Sequence, residues 1–349
     1  MKNVLAISCL MMLAAGATGA MAADATAPLG LKNGSIGYAI TSARWAQYQT
    51  PEAKECPDGL YKHGPREQFK AKYPNGGSVR DTSLTWESAV QFPMDYNDTF
   101  PFARAGGKIA NGMNLDGKVG PNDFTSPEGE AGIDNQMFRV LGCVPIYRGP
   151  DGLLWFLDTK FIKTQAYSRL LVELTGVDNL TNDPEVDVHL YRGIDPLMGD
   201  ATGENTMAGG TEHIDERFGK KYERHFKGRI ENGVLITEPT DILMPWGQQP
   251  RNLLIHAARM RMNLTGDGAK GMLGGYTDVD SWYRQMTEWA THFLSYGQAA
   301  APSLYQQMRK VADGYPDASG QMTAVSSGIQ VQFAQVFIEH RPKTIALNK

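Results

Sequence analysis

Cysteine is scarce in this chain: three residues in 349, at positions 9, 56 and 143, with no Cys-x-x-Cys pair. That excludes a thioredoxin-like dithiol and a c-type haem attachment, and no four Cys and His residues stand at zinc-finger spacing. Gly-x-Ser-x-Gly, Ser-x-x-Lys, His-Glu-x-x-His and Gly-x-x-x-x-Gly-Lys-Ser/Thr are all missing. The common linear signatures of hydrolases and nucleotide binders are therefore absent, and nothing marks a haem, nucleotide or flavin cofactor. Basic runs are lacking too, and 34 basic against 38 acidic side chains leave a net charge of −4. Without a cationic stripe to neutralise a phosphate backbone, nucleic acid is not an expected partner. No apolar run beyond the N-terminus approaches the roughly 20 residues of a membrane helix, so no membrane span is expected once the leader is removed.

What is present begins with an export signal. Lys2 supplies a positive start, Val4 to Ala15 an apolar run, and Ala20-Met21-Ala22 a small-x-small cleavage site, the order of a secretory signal peptide. Residues 1–22 are expected to be removed, which places the mature protein in the periplasm or outside the cell. Cys9 lies inside the apolar run, whereas a lipid-bearing cysteine would end it, so a lipoprotein anchor is disfavoured. Only Cys56 and Cys143 survive processing, and in an oxidising compartment an isolated pair is expected to form a disulfide.

Hydrophobic residues make up 42% of the chain, with 38 Gly and 19 Pro, which fits a globular core divided by many turns. Strand periodicity dominates the middle. Val186, Val188 and Leu190 alternate with polar neighbours, as do Leu170, Val172 and Leu174, so each segment has one wet and one dry face. Asn182-Asp183-Pro184 between them suits a turn. Asn232-Gly233 separates Phe226–Ile230 from Val234–Ile236 and tolerates the positive φ angles of a tight hairpin. Apolar segments at Leu153–Ile162, Ile242–Trp246, Leu253–Leu264 and Ile329–Ile338, with a strand over Ile36, Tyr38 and Ile40, make the chain mainly β. The reading is a two-sheet antiparallel sandwich.

Trp282, Met286, Trp289, Phe293 and Tyr296 fall on one helical stripe, and Leu304, Met308 and Val311 on another after Pro302. This predicts a C-terminal helix hairpin at about 280–313, its aromatics being core residues rather than a ligand platform. Asp280 or Ser281 would cap its start. A short helix is expected over 65–72. The division read from these patterns is 1–22 signal peptide, 23–150 an irregular N-terminal segment packed on the sandwich, and 151–349 the sandwich with its hairpin. Gly-rich loops at 193–210 and 265–276 are the expected places for recognition.

Oxygen donors concentrate in the irregular segment. Asn114, Asp116, Asp123, Glu128 and Asp134 surround Asp116-Gly117, and with Gly117 at position six of a twelve-residue calcium loop, Asn114 falls at three and Asp123 at twelve. Position one would be Gly112, which has no ligating side chain. The candidate cofactor is thus Ca2+ in a partial motif, against an Asx-rich turn that caps its own backbone. Asp134 is also placed to cap a helix ending at Gly142. His213 and His225, flanked by Glu212, Asp215, Glu216 and Glu223, offer acid–base or metal chemistry, or a charged solvated loop, which is the preferred reading.

Glu55-Cys56-Pro57-Asp58-Gly59-Leu60, Asp123-Phe124-Thr125-Ser126-Pro127-Glu128-Gly129 followed by Gly132-Ile133-Asp134-Asn135-Gln136, and Leu273-Gly274-Gly275-Tyr276 resemble strings in a group of uncharacterised exported bacterial proteins. The resemblance implies export and a bacterial setting, and it brings no catalytic residues. The leading expectation is a non-enzymatic exported binding or accessory protein with a small-molecule or protein partner. The rival is a secreted hydrolase whose Asp, Glu and His residues converge only in three dimensions.

Overall fold

The computed structural model describes residues 30–78, 80, 88–149, 162–164, 169–245, 252–289 and 300–340, with 164, 288 and 289 described by their backbone alone. The segment 1–22 expected as a signal peptide, the run from Leu153 to Phe161, and Phe293 and Tyr296 lie outside these residues. The strands in chain order are β1 (Ser35–Trp45), β2 (Phe124–Thr125), β3 (Ala131–Ile133), β4 (Arg169–Thr175), β5 (Asp183–Gly193), β6 (Gly210–His213) and β7 (Arg224–Glu231). They continue with β8 (Val234–Thr237), β9 (Thr240–Pro245), β10 (Asn252–Leu264), β11 (Gly268–Asp278), β12 (Gly314–Pro316) and β13 (Met322–Glu339).

The expected sandwich is not what these strands build. β1, β4, β5, β7, β8, β10, β11 and β13 pair antiparallel in sequence order, and β13 returns to pair with β1, so the eight close into an up-and-down barrel. Ile40 faces Phe333 and Tyr38 faces Gln335 across the closing seam. Alternation along a strand is the same in a sandwich and a barrel, because both have one dry face. The distinction rests on the pairing of the first strand with the last, which removes both free edges. β1 belongs to this wall, so the barrel draws on residues from both sides of position 150.

Eight strands enclose a space that side chains can fill. The inward row includes Ile36, Tyr38, Val172, Leu174, Val188 and Leu190, continued by Leu235, Met260, Met262, Leu273, Val331 and Phe333. Tyr38 is fully buried and donates its hydroxyl to Thr265 O at 3.1 Å. Asp187, His225, Lys227 and Arg229 stand on the outer wall. An apolar lumen with charged outer faces is the reverse of a membrane barrel. Among the described residues no helix is long and apolar enough to cross a membrane.

Short connections join the strands at one end: 176–182, 232–233 and 265–267. Asn232 and Gly233 adopt φ 50° and 79°, the left-handed pair that a tight hairpin requires. The region 265–276, expected as a recognition loop, is instead this turn followed by strand β11. Residues 46–168, 194–223, 238–251 and 279–321 all connect strands at the opposite end. That end carries helices α1 (Pro65–Lys72), α2 (Gln136–Leu141), α3 (Val279–Trp289) and α4 (Ala301–Val311). Met137, Phe138, Trp282, Leu304 and Met308 join the barrel core in one cluster. Helices α3 and α4 pack together, with Tyr283 and Tyr305 rings 4.7 Å apart and Tyr305 donating to Asp280. Asp278, not Asp280 or Ser281, supplies the carboxylate that accepts the Ser281 N–H at 2.6 Å.

Cys56 and Cys143 form a disulfide with Cα atoms 5.7 Å apart. Beside it Glu55 pairs with Arg148, which also donates to Gly142 O. A second apolar cluster lies outside the barrel, where Ala39, Leu171 and Val336 meet Leu197 from the 194–209 connection.

Candidate functional site

The irregular N-terminal segment folds around Asp134. Its Oδ2 accepts from Leu115 N at 2.6 Å and more distantly from Asp116 N, while its own backbone pairs with Met113. Asp134 therefore organises the loop and leaves capping of α2 to Asn135, whose Oδ1 accepts from Phe138 N at 3.2 Å. The other proposed ligands serve the local backbone. Asn114 accepts from Gly117 N and donates to Lys118 O, Asp116 accepts from Lys118 N, and Asp123 accepts from Gly120 N. Glu128 is exposed. Among the described residues no three Asp, Glu, His or Cys gather around one point as metal ligands. Asp116 and Asp123 do act on Asp134: burial, and then their charges, push its carboxyl up to about 6.

His213 and His225 are not partners in one site. His213 binds Asp195 at 2.8 Å, and His225 binds Asp187 at 2.9 Å while stacking on His189 at 4.4 Å between ring centres. Of the flanking acids, Glu212 is buried against Arg169, and Asp215 joins Arg192 and Arg217. These are separate pairs along the outer wall.

Two places gather groups that the sequence did not bring together. One is on the outer face of β10 and β11, under the Asp134 loop. His256 donates or accepts through Nδ1 with Asp241 Oδ2 at 2.9 Å, and Asp241 Oδ1 accepts from Ala257 N. Tyr315 stacks on His256 at 4.2 Å, with Tyr276 edge-on to Tyr315 at 5.7 Å. The Tyr276 phenol is pushed up by burial and by the charges of Asp134, Asp313 and Asp116, with Arg259 opposing them. Ala257 and Tyr315 hold φ of 45° and 56°, a left-handed backbone that costs a non-glycine residue about 1 to 3 kcal/mol and collects at functional sites. Gly314 is required here, since a Cβ would collide with the Tyr276 ring.

The other is a cleft of about 430 Å³ between α1 and the segment 88–99. Phe69, Phe92 and Tyr96 supply rings, and Lys72, Asp95 and Asn97 polar groups. Its floor is fixed by Gln68, which donates to Tyr61 and Asp98 while its Oε1 accepts from Thr99 N and Oγ1. Gln306 on α4 pins the far wall by donating to the carbonyls of Pro93, Met94 and Tyr96. Phe92 stays 57% exposed, an apolar face left in contact with water at the mouth. Little in the sequence marks this place, because 74–134 has no period to read. Leu253–Leu264 was legible as an apolar strand segment, but Asp241 reaches His256 only through the β9–β10 register and its bulge.

No protein-family model, curated protein or solved structure matches the chain.

Proposed function

We propose that this chain is an exported, non-enzymatic binding protein that takes a small organic ligand in the cleft between α1 and residues 88–99. The carrying observation is the lining: three aromatic rings with a few polar groups around about 430 Å³, the usual make-up of a small-molecule site. Among the described residues that line it, Asp95 is the one carboxylate and there is no imidazole, which favours binding over hydrolysis there. Export rests on the signal-like N-terminus and on the disulfide, a bond that persists in oxidising compartments. A thermal-shift panel of small sugars and aromatic compounds tests the reading. A ligand should raise the melting temperature of the mature protein, and Phe92→Ala should remove most of that shift. A shift that survives both Phe92→Ala and Tyr96→Ala would sink the cleft as the site.

Calcium belongs to the same reading as a structural ligand of residues 114–134. Its support is the pressure of Asp116 and Asp123 on Asp134, which a divalent cation would relieve. A site holding calcium at a hundredfold its Kd gains about 2.7 kcal/mol of folded-state stability. The melting temperature should rise with calcium and fall with chelator, and Asp116→Ala should end the response. An identical melt in metal-free protein leaves the loop a self-capped turn.

A further inference from the structure

The outward row of β10 holds three cationic or proton-binding side chains, His256, Arg259 and Arg261. Two have carboxylate partners: Asp241 for His256, and Glu130 for Arg261 at 3.0 Å. Arg259, between them, has none among the described residues, and its Nε is buried without a hydrogen-bond partner. A buried guanidinium N–H is rarely left unpaired, because stripping it of water without replacement is costly. Across β11 the neighbour in register is Gly274, and the apolar side chains of Met113 and Leu115 stand over that glycine, so neither brings Arg259 a hydrogen-bond partner. Tyr276 and Tyr315 stand close enough for the Arg259 charge to bear on both phenols. Neither hydroxyl is hydrogen-bonded to a described residue. Tyr315 is 39% exposed, which leaves part of its ring open to solvent.

We propose that Arg259, with the rings of Tyr315 and Tyr276, binds a small organic carboxylate on the outer wall of the barrel. Guanidinium and carboxylate match as a fork of two parallel hydrogen bonds, and the Tyr315 ring offers an apolar face to the body of the ligand. The surrounding charge selects a monoanion. Asp241 stands by Tyr315, and Asp116, Asp134 and Asp313 by Tyr276, so a doubly charged phosphate meets more repulsion than a carboxylate does. The site is separate from the cleft and does not depend on it.

Titration calorimetry of the mature, disulfide-bonded protein with benzoate, and separately with inorganic phosphate, tests this. Benzoate should bind saturably at one site and more tightly than phosphate. Arg259→Gln should weaken it about tenfold or more, the loss expected when a charged hydrogen-bond partner goes. Arg259→Lys, which keeps the charge but not the fork, should fall between, and Phe92→Ala in the cleft should bind as the wild type. The melting temperature of each variant reports that it is folded. Phosphate binding more tightly than benzoate would overturn the carboxylate assignment. Benzoate binding unchanged in Arg259→Gln, absent from the wild type, or lost in Phe92→Ala would overturn the site.

Discussion

The two ends of the barrel are built by different means. At one end the strands meet through short turns such as 232–233 and 265–267, and local backbone chemistry is enough to close them. At the other, four long connections carry all four labelled helices, the disulfide and the proposed cleft. Short turns leave no room for side chains to converge, whereas long connections must be held by packing and cross-links, and so create walls between them. The end that is costly to order is the end that can hold a ligand.

Loss of the disulfide is the largest expected break in this contrast. Its closed loop spans 87 residues, for which chain-entropy reasoning gives about 4 to 5 kcal/mol. The Cys56→Ser/Cys143→Ser double variant should lose about that much by denaturant unfolding. Hydrogen exchange should show the helix-bearing end loosening first, with β7–β8 protection kept. Uniform loss of protection at both ends would mean that they unfold as one unit and share a single stability.

Trp282 comes next, as the fully buried anchor of α3 in the common core. Trp282→Ala should cost about 3 to 5 kcal/mol. A cost below about 1 kcal/mol would show that α3 is a loose cover, and that the long end does not depend on its contact with the barrel.

Glu212 sharpens the contrast through pH. Burial against the barrel wall pushes its carboxyl up to about 7, against the pull of the Arg169 guanidinium. The folded state then holds a proton more tightly than the unfolded chain between about pH 4.5 and 7. Stability contributed by that protonated form is present at low pH, declines through this window and is level above it, a change on the order of 3 kcal/mol. Glu212→Gln should lose this decline, so that its difference from wild type in unfolding free energy changes across the window. A difference that does not change across the window would remove Glu212 as its source.

The smallest effect belongs to the short end. Gly233 has φ of 79°, and the nearest atom to an added Cβ is 3.9 Å away, so Gly233→Ala meets strain without a clash. About 1 kcal/mol should be lost in equilibrium unfolding, with ligand binding at the cleft untouched. Weakened ligand binding in this variant would show that the ends are coupled.

Much of the short end was legible in the sequence. Asn232-Gly233 and the alternating rows of β4, β5, β7 and β8 follow from local backbone and periodicity rules, which act over a few residues, and so does helix α1 over 65–72 at the other end. The disulfide followed from having two cysteines left to pair. The two proposed sites were not legible, for identifiable reasons. Phe69 and Phe92 become facing walls only when Gln68 and Gln306 fix them from different elements. Arg259 looks like any outward basic residue until its neighbours' partners are known. Asp134 has the chemistry of a helix cap, and tertiary structure turned it to Leu115 instead.

By itself, then, the sequence determined local periodicity, turn chemistry and the mainly β content, since each depends on residues close together. Closure into a barrel was decided only in three dimensions, because it rests on Gly37 meeting Val336 across nearly the whole chain. Inward and outward alternation is identical whether a sheet folds over another sheet or curls to meet itself. The free energy that separates the two lies in long-range edge pairing, which no local pattern records.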